Sequence, residues 1–543
     1  MKRFFTLLFA ISFIFVCYPK SVKIGDLYYE LSSKHEAKVV SESEEESFFS
    51  NNYDNISGCL EIPSTVNYNG IDYAVTSIDD FAFIYCQGLT EIKIPDSVKS
   101  IGHQAFYYCK GLNKVEIGNG VSFIGSMAFE DCDNISGVYI SDLKAWCNID
   151  FFNFESNPLF LAHRLYLNGE EVTEIDFPAS LTSIRNNVFA GGNFSRIGIH
   201  SDVTSIGDYS FALCHYLTGV EIPNSVKTIG AYAFADCKKL EELKLPDSVV
   251  SLGPCAFQSC ISLKNIELSA NINSIGERTF YKCNNLTTVK IPDGVTTIGD
   301  HAFEECGELG DMYIPDFVTS IGRSAFAYCE KMTNVRIGNA VELMGDYAFL
   351  NCKGLSRVDI SDIENWCGIK FENEYSNPLY YAEKLYNDNE EVSYLSIPES
   401  VTWIRSFAFY GCKSIETVEF PRSLTEINEK AFCNCDNIET IYCYWKPAYC
   451  SNNVFSEVNY NKATLYVPDS FVQMFYAQSP WNRFNKINTF VPADVDEVFD
   501  KGDEIFTVFS CAGLVVLEKA TKKDLNSLPA GIYIVNGKKI LLK

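Results

Sequence analysis

Cysteine recurs at a fixed spacing of 23 residues, and this period constrains the fold more than any other feature of the chain. A unit of that length cannot bury an apolar face alone, so consecutive units must stack and share one continuous core. The period therefore predicts a solenoid in place of the several domains that 543 residues would otherwise suggest. The twelve cysteines that keep this period, in three runs, are Cys86, Cys109, Cys132, Cys214, Cys237, Cys260, Cys283, Cys306, Cys329, Cys352, Cys412 and Cys435.

The residues before each cysteine predict the path of one coil. One coil ends at Cys237, and its first strand is predicted by the alternation of Val220 and Ile222 with polar residues. A proline and an Asn-Ser pair then end that strand. Ala233 and Phe234 are predicted to fill the interior of the stack before the cysteine closes the coil.

The periodic cysteines are predicted to form a ladder of buried, unpaired thiols. Each would have two equivalent neighbours, so pairing all of them as disulfides is geometrically awkward. A metal site is the competing interpretation, but zinc sites favour clusters such as Cys-x2-Cys, and the chain offers only Cys433 with Cys435 and Cys255 with Cys260. We therefore expect the cysteines to pack the core, and we predict no metal site.

The recurring pattern IP-x-SV-x-x-IG-x-x-AF-x-x-C resembles the BspA-like leucine-rich repeats of bacterial surface proteins, related to a class first described in Treponema. The resemblance covers roughly residues 55 to 490. It implies a mainly β, right-handed parallel solenoid with short strands on one face. It also implies an adhesin that binds host matrix proteins or neighbouring cells. The repeat departs from the common leucine-rich consensus, which carries asparagine where this chain carries cysteine.

Two inserts, at residues 141–177 and 361–397, interrupt the period and match each other at an offset of 220 residues. A duplicated block is the simplest account of that match. Each insert predicts a short amphipathic helix with Trp146 or Trp366, followed by a small hairpin whose turn residues tolerate positive φ. The tryptophan is expected to plug the core beside the coil, and ligand binding is the alternative.

The first residues predict export from the cytoplasm. Lys2 and Arg3 precede an apolar run that is too short to span a bilayer comfortably, so residues 1–20 are predicted to be a signal peptide. Lipidation of Cys17 is the alternative, although Val16 stands where a lipobox has a small residue. No other segment of the sequence is long and apolar enough to predict a membrane span.

A solenoid needs a cap at each end of its core. We predict an N-terminal cap at 21–80, repeats at 81–440 and a closing unit at 441–490. A helix in the closing unit is expected to cover the last coil with Phe471, Phe475 and Trp481.

The chain changes character after the closing unit. An acidic linker is predicted at 491–504 and a small all-β module at 505–543. The ending from Leu528 to Val535, with its turn pair Asn536-Gly537, resembles the carboxy-terminal sorting domain of type IX secretion cargo in the Bacteroidetes. The resemblance implies passage through the outer membrane and removal of the tail. An accessory β-domain is the alternative.

Charge and motif content exclude several classes of function. The net charge of −26 argues against nucleic acid, whose phosphates require a basic face, and against anionic lipid headgroups. The six histidines are scattered, and the sequence has no Gly-rich phosphate loop, no Gly-x-Ser-x-Gly and no His-Glu-x-x-His motif. We therefore predict a protein without enzymatic activity and without a cofactor.

The exposed strand positions are the remaining candidates for function. Their charges alternate between neighbouring coils, which supports the sheet through cross-strand pairs. Charged and tyrosine side chains on a flat surface are also typical of docking sites. The candidate binding face consists of Lys93, Glu116, Tyr139, Glu221, Lys244, Glu267, Lys290, Tyr313, Arg336 and Asp359.

Three functions from different classes fit these observations. The first is adhesion by a secreted or surface-displayed monomer to an extracellular protein ligand, on host matrix or on another cell. The second is a structural scaffold of the cell envelope, and the third is a glycan-binding module. A broad mixed-charge plane favours a protein ligand, an aromatic groove favours a glycan, and a featureless acidic face favours the scaffold.

Overall fold

The computed structural model describes residues 21–41, 53, 56–490, 506–510, 515–521, 524–528, 531–535 and 538–542. The predicted signal peptide, Cys17, the linker at 491–504 and the turn at 536–537 lie outside the described residues. The chain divides into two compact units. Unit 1 is Met1–Thr173 with Arg185–Asn193, and unit 2 is Glu174–Ile184 with Phe194–Lys543.

Each regular coil contributes two short strands, and each strand pairs in parallel with its equivalent one coil away. In the coil that ends at Cys237, these strands are Gly219–Glu221 and Thr228–Ile229. We call the stack of first strands the front ladder and the stack of second strands the rear ladder. Repeated parallel strands confirm the predicted mainly β solenoid. The resemblance implied short strands on one face. The strands of the rear ladder were not predicted.

The strands of unit 1 form one front and one rear ladder. The front ladder consists of Gly58–Glu61, Leu89–Ile94, Lys114–Ile117, Gly137–Ile140 and Leu165–Leu167, with the antiparallel strand Glu170–Glu171 at its end. The rear ladder consists of Ile71–Ile78, Ser100–Ile101, Phe123–Ile124 and Asp150–Phe151. Four further strands extend the sheet of the rear ladder at its N-terminal side, namely Val22–Ile24, Leu27–Leu31, Glu36–Val40 and Thr65–Tyr68.

The strands of unit 2 form a longer series. Its front ladder consists of Glu174–Asp176, Arg196–Gly198, Gly219–Glu221, Glu242–Lys244, Asn265–Glu267, Thr288–Val289, Met312–Tyr313, Asn334–Arg336, Arg357–Ile360, Leu385–Asn387, Glu390–Glu391, Tyr394–Ser396, Thr417–Phe420, Thr440–Cys443, Thr464–Pro468 and Lys486–Phe490. Its rear ladder consists of Ser183–Ile184, Ser205–Ile206, Thr228–Ile229, Ser251–Leu252, Ser274–Ile275, Thr297–Ile298, Ser320–Ile321, Leu343–Met344, Lys370–Phe371, Trp403–Ile404, Glu426–Ile427 and Tyr449–Cys450.

A continuous stack of phenylalanine rings fills the interior of unit 2. Phe234 is fully buried, and its ring centroid lies 5.3 Å from that of Phe211 and 5.7 Å from that of Phe257. The planes of these neighbouring rings deviate by 20° or less. The same stacking continues from ring to ring as far as Phe349. The predicted role of the Ala-Phe pair in the core is therefore confirmed.

The periodic cysteines are buried free thiols, as predicted, and most of them also donate a hydrogen bond to the preceding coil. Cys260 Sγ donates to the carbonyl oxygen of Phe234 in the preceding coil at 3.1 Å. Nine of the described cysteines make this contact, with sulfur to oxygen distances of 2.9–3.3 Å. A buried carbonyl needs a donor, so the cysteine supplies the interior with a hydrogen bond as well as with apolar volume.

The glycine of the Ile-Gly pair marks the closest approach between coils. A Cβ atom on Gly253 would lie 2.4 Å from the backbone nitrogen of Ala231 in the preceding coil. Next to the second insert, Arg405 occupies the equivalent position. Its guanidinium lies 4.4 Å from the ring of Trp403, so a larger side chain is accommodated where a regular coil does not precede it.

The inserts are expanded coils that supply strands to both ladders. The first contains the helices Leu143–Cys147 and Leu159–Ala162 and the 3-10 turn Phe154–Ser156. The second contains Ile363–Gly368, Leu379–Ala382 and Glu374–Ser376. Trp146 and Trp366 are each 1% exposed, and their indole nitrogens donate to backbone carbonyls at 3.1 and 2.8 Å. This confirms that the tryptophans plug the core, and the predicted helices and hairpins are present.

The end of the solenoid is covered by a short helical segment. It contains the helices Glu457–Lys462 and Val472–Ala477 and the 3-10 turns Asp469–Phe471 and Trp481–Arg483. Phe475 and Trp481 are buried, and the indole nitrogen of Trp481 donates to the carbonyl of Ala448 at 2.9 Å. Phe471 is half-buried, with its ring 4.8 Å from that of Trp445.

The C-terminal strands form a separate antiparallel sheet. The strands are Phe506–Ser510, Val515–Ala520, Gly531–Val535 and Lys538–Leu542, and a 3-10 turn at Asp524–Ser527 lies between the second and the third. Val508, Leu525 and Val535 belong to its small apolar core. The described residues of the tail are thus β apart from that turn, in agreement with the predicted all-β module.

Candidate binding surface on the front ladder

The three candidate residues of unit 1 lie in register on neighbouring strands of the front ladder. Lys93 pairs with Glu116, and Glu116 pairs with Tyr139. All three are only half-exposed. Tyr139 stacks on Tyr166 of the expanded coil, with ring centroids 4.4 Å apart, and Lys114 Nζ lies 4.5 Å from the Tyr139 ring. This part of the face is therefore a packed surface whose rings and charges contact one another.

The candidates of unit 2 are more open. Glu221, Lys244, Glu267 and Lys290 are exposed on consecutive coils. Lys244 Nζ lies 2.6 Å from Glu267 Oε2, so the predicted alternation of charge does form an ion pair between coils. The surface is consequently one of mixed charge.

Two further candidates form an aromatic and cationic pair. Tyr313 is 40% exposed and lies opposite Arg336 in the parallel register. The guanidinium carbon of Arg336 lies 5.3 Å from the centre of the Tyr313 ring, within the range of a cation–π interaction. Tyrosine and arginine are both favoured in protein interfaces.

Asp359 does not belong to the exposed face, which corrects the prediction for that residue. It is 6% exposed. Arg357 forms a bidentate ion pair with the Asp359 carboxylate. The guanidinium carbon of Arg357 lies 4.0 Å from the centre of the Tyr386 ring. Tyr386 is on the strand that the expanded coil places opposite Asp359. The insert therefore covers a position that would be open in a regular coil.

A shallow hollow of about 620 Å³ lies on the front ladder of unit 2. Gly219 contributes no side chain there, and nothing lies within 4 Å of the position that a Cβ atom would take. Its apolar base includes Val220, which is half-buried, whereas Ile197 and Leu243 are only 1% and 5% exposed. Charged side chains at its margin include Arg196, Glu221, Glu242, Lys244 and Glu267.

The charges around this hollow are only partly compensated. Arg196 pairs with Glu174 at 3.1 Å and with Asp176 at 3.0 Å. Within the part of the chain that the structure describes, Glu221 and Glu242 have no such ion-pair partner, and both are exposed. The hollow therefore combines an apolar base, a mixed-charge margin and two carboxylates available to a ligand.

Sequence reasoning identified Glu221, Lys244 and Glu267 but missed the hollow between them. The available signal was glycine at position 198, where most other coils carry a charged or aromatic residue, and at position 219, where the other coils of unit 2 carry a polar or charged one. Glycine in a strand frequently marks a place where another molecule or backbone approaches closely. Arg196 and Glu242 were missed because only the central exposed position of each strand was considered. They precede that position by two residues, and side chains two residues apart in a strand point to the same face.

Two kinds of feature are absent from the described residues. These residues contain no group of three or more His, Cys, Asp or Glu side chains that is arranged to hold a metal ion. They also contain no helix that has both the length and the hydropathy of a membrane span.

Stacked 23-residue coils with parallel strands and a shared apolar interior define the class of leucine-rich-repeat solenoids. The family described as BspA type leucine-rich repeat region matches residues 76–154, 144–264, 251–376 and 381–478. These matches cover well over half of the sequence, and the chain belongs to this family. The BspA-like resemblance is thereby confirmed. No curated protein matches the chain in sequence.

Several solved structures have a similar backbone fold. A leucine-rich repeat protein from Bacteroides ovatus is 22% identical, with a TM-score of 0.45, over 86% of this chain and 99% of its own. A leucine rich cell surface protein from Faecalibacterium prausnitzii is 24% identical, with a TM-score of 0.40, over 78% and 94%. The pneumococcal vaccine antigen PcpA is 13% identical, with a TM-score of 0.33, over 88% and 99%. At these levels the likenesses carry no argument about function.

Proposed function

We propose that the chain is a non-enzymatic binding protein that docks an extracellular protein ligand on the front ladder of unit 2. The hollow around Gly219 is the observation that carries the proposal. It joins an apolar base to a polar, charged margin, which is the arrangement of core and rim found in protein interfaces. The ligand class is a host matrix protein or a surface protein of another cell.

Charge complementarity defines the ligand further. Glu221 and Glu242 extend from the face without an ion-pair partner among the described residues, while Lys244 is already paired with Glu267. A ligand that brings a basic side chain to these carboxylates is steered toward the face and held in one orientation. The exposed Tyr313 and Arg336 extend the same ladder with residues that interfaces favour.

The proposed location rests on two segments outside the repeats. The predicted signal peptide at 1–20 and the sorting-like tail at 505–543 support export and passage through the outer membrane. A protein of this kind acts as a monomeric adhesin, either displayed on the cell or released from it. A structural scaffold of the envelope is the outcome if no ligand is found.

The charge pattern offers a direct test. Exchanging the partners, as Lys244→Glu with Glu267→Lys, retains the ion pair but reverses its direction on the face. We expect wild-type protein to bind at least one member of a panel of immobilised host matrix proteins in a saturable manner. The exchange should weaken that binding at least tenfold, or about 1.4 kcal/mol, without changing the melting temperature.

A matched control is available in unit 1. Lys110 and Asp133 form an ion pair of the same kind between coils, at 2.8 Å, away from the strands of the front ladder. The exchange Lys110→Asp with Asp133→Lys should leave binding unchanged. Equal loss in both exchanged proteins would show that the front ladder is not the docking surface. Failure of the wild type to bind any panel member would replace adhesion by the scaffold.

A further inference from the structure

A patch of tyrosine rings covers the second insert, away from the front ladder. We call it the tyrosine patch. Its members are the exposed Tyr347, the half-buried Tyr375, Tyr380 and Tyr381, and Tyr410, which is 9% exposed. The Tyr380 ring lies 4.7 Å from that of Tyr375, 4.8 Å from that of Tyr381 and 5.8 Å from that of Tyr410. The ring of Tyr347 is stacked 6.1 Å from that of Tyr375 and is 39% exposed.

The rings of the patch are held in place by the coil around them. The hydroxyl of Tyr381 accepts a hydrogen bond from the backbone nitrogen of Asn351 at 2.9 Å. The hydroxyl of Tyr410 accepts one from the side-chain amide of Asn434, also at 2.9 Å. An aromatic surface that is already ordered loses little conformational entropy when a ligand binds.

The first insert provides an internal reference for these residues. Both inserts share the same scaffold, including the buried tryptophan and the capping box made by Asn153 with Ser156 or by Asn373 with Ser376. At the offset of 220 residues, the first copy has other side chains at all five patch positions. The first-copy residues, in the order of the tyrosines named above, are Met127, Glu155, Phe160, Leu161 and Ala190.

The expanded coil therefore folds without these tyrosines, so the fold does not explain them. Each of the five differences adds a phenol hydroxyl. The carboxylate that the first copy carries at Glu155 moves by one position, because Glu374 replaces Phe154. The charged neighbours of the patch, Lys430 and Glu374, pair with each other at 3.7 Å. The second copy has thus gained hydrogen-bonding aromatic surface without gaining net charge.

We propose that the tyrosine patch binds a neutral oligosaccharide. A pyranose ring presents an apolar C–H face together with hydroxyl groups, and a phenol offers a flat apolar ring with a group that both donates and accepts hydrogen bonds. A basic peptide would find the neighbouring carboxylate of Glu374 already paired with Lys430. An aliphatic peptide would find no aliphatic anchor among the five residues.

The first copy also supplies the variant for the test. Tyr380→Phe with Tyr381→Leu gives the second insert the residues that the first insert carries, which the fold accommodates. The probe is an array of immobilised neutral oligosaccharides built from glucose, mannose, galactose and N-acetylhexosamines, with full-length protein applied. Wild-type protein should be retained by at least one member. The double variant should bind that member at least tenfold more weakly while it keeps a cooperative unfolding transition.

Two controls separate this site from the front ladder. The exchange Lys244→Glu with Glu267→Lys should leave oligosaccharide binding intact, even though it removes binding to matrix protein. The reverse substitution in the first insert, Phe160→Tyr with Leu161→Tyr, should not weaken retention. No retention of wild-type protein by any sugar on the array overturns the proposal. Equal retention of wild type and double variant overturns it as well, and so does binding of the patch to a protein ligand only.

Discussion

Single residues of the repeat combine packing with hydrogen bonding. The Phe234 ring is stacked on both sides, and its carbonyl oxygen accepts a hydrogen bond from Cys260 in the next coil. Sequence reasoning predicted the burial of both residues from their apolar character and their period. It could not predict the hydrogen bond, because the acceptor is a backbone atom 26 positions away whose direction depends on the turn between them.

Removal of one phenylalanine ring should destabilise the neighbouring coils as well as its own. Phe234→Ala should lower the free energy of unfolding by about 3–5 kcal/mol, because a fully buried ring leaves a cavity in the stack. Neighbouring coils share that interface, so the protection of their amides should fall as well. Urea unfolding and hydrogen exchange measure the two effects. Tyr313→Ala, at an exposed position, is the control, and an equal effect of both substitutions would contradict the stacked core.

The buried thiols should make the solenoid sensitive to alkali. Burial raises the pKa of Cys260 and of Cys352 to about 12 and that of Cys412 to about 11. An unfolded thiol titrates near pH ~8.5, so the unfolded chain loses these protons first as the pH rises. The stabilisation is therefore complete below about pH 8.5 and is lost as the pH rises toward the folded-state pKa.

The corresponding measurement is the urea midpoint as a function of pH. Each such thiol should contribute up to about 1.4 kcal/mol of lost stability per pH unit above pH ~8.5. The urea midpoint should decrease as the pH is raised from 8 to 10. Cys260→Ala should make this decrease shallower. A midpoint that is constant over that range would show that the thiols are not buried as described.

At the scale of elements, the coils are not equally coupled. Ser251–Leu252 and Ser274–Ile275 belong to separate sheets, so the rear ladder of unit 2 is interrupted between them. Pro254 occupies a position where some other coils carry an aspartate, such as Asp300, whose carboxylate accepts from the backbone nitrogen of Arg323 at 2.7 Å. A Cβ atom on Gly276 would lie 3.3 Å from Pro254 Cα, a wider approach than the 2.4 Å found at Gly253. The proline thus keeps the two coils apart.

Hydrogen exchange should locate this interruption. Amides at 273–276 should exchange at least about tenfold faster than those at 296–299, because local opening costs less where fewer backbone hydrogen bonds cross between coils. Thr296 and Gly299 donate to the preceding coil at 2.9 and 2.8 Å. Pro254→Asp should supply an acceptor for the backbone nitrogen of Glu277, as Asp300 does for Arg323, and should thereby slow the exchange at the adjoining 273–276. Equal rates in the two segments of the wild type would contradict the interruption.

The sequence predicted long elements better than short ones. The insert helices and hairpins were predictable because tryptophan, apolar spacing and turn residues such as Asn168-Gly169 all favour them. Two-residue strands such as Thr228–Ile229 carry no alternating pattern, so the rear ladder gave no strand signal. The hollow at Gly219 was likewise hidden, because its shape depends on which side chains stand on the neighbouring coils.

At the scale of the whole molecule, binding and export are assigned to different segments. Thr464–Pro468 and Lys486–Phe490 complete the front ladder of unit 2, and Trp481 is buried beside them. The solenoid core is therefore closed before residue 491. The antiparallel sheet of the tail has its own apolar core. We accordingly expect the tail to be dispensable for the folding of the solenoid.

Deletion of residues 493–543 tests this separation. The truncated protein should keep the melting temperature of the solenoid but should remain inside the outer membrane, if the tail is the export address. Protease treatment of intact cells measures accessibility, and full-length protein serves as the control. Equal accessibility of both proteins would make the tail an accessory domain. Inaccessibility of both would contradict surface display.

The central claim is that the hollow on the front ladder receives the protein ligand, and filling the hollow tests it most directly. Gly219→Tyr places a ring where nothing lies within 4 Å of the new Cβ atom. Gly307→Tyr adds the same side chain at another open glycine, outside the strands of the front ladder. The measurement is the equilibrium Kd of each variant for the matrix protein that retains the wild type. We predict a Kd at least tenfold higher for Gly219→Tyr and within about twofold of the wild type for Gly307→Tyr, at equal melting temperatures. An unchanged Kd for Gly219→Tyr would contradict the claim.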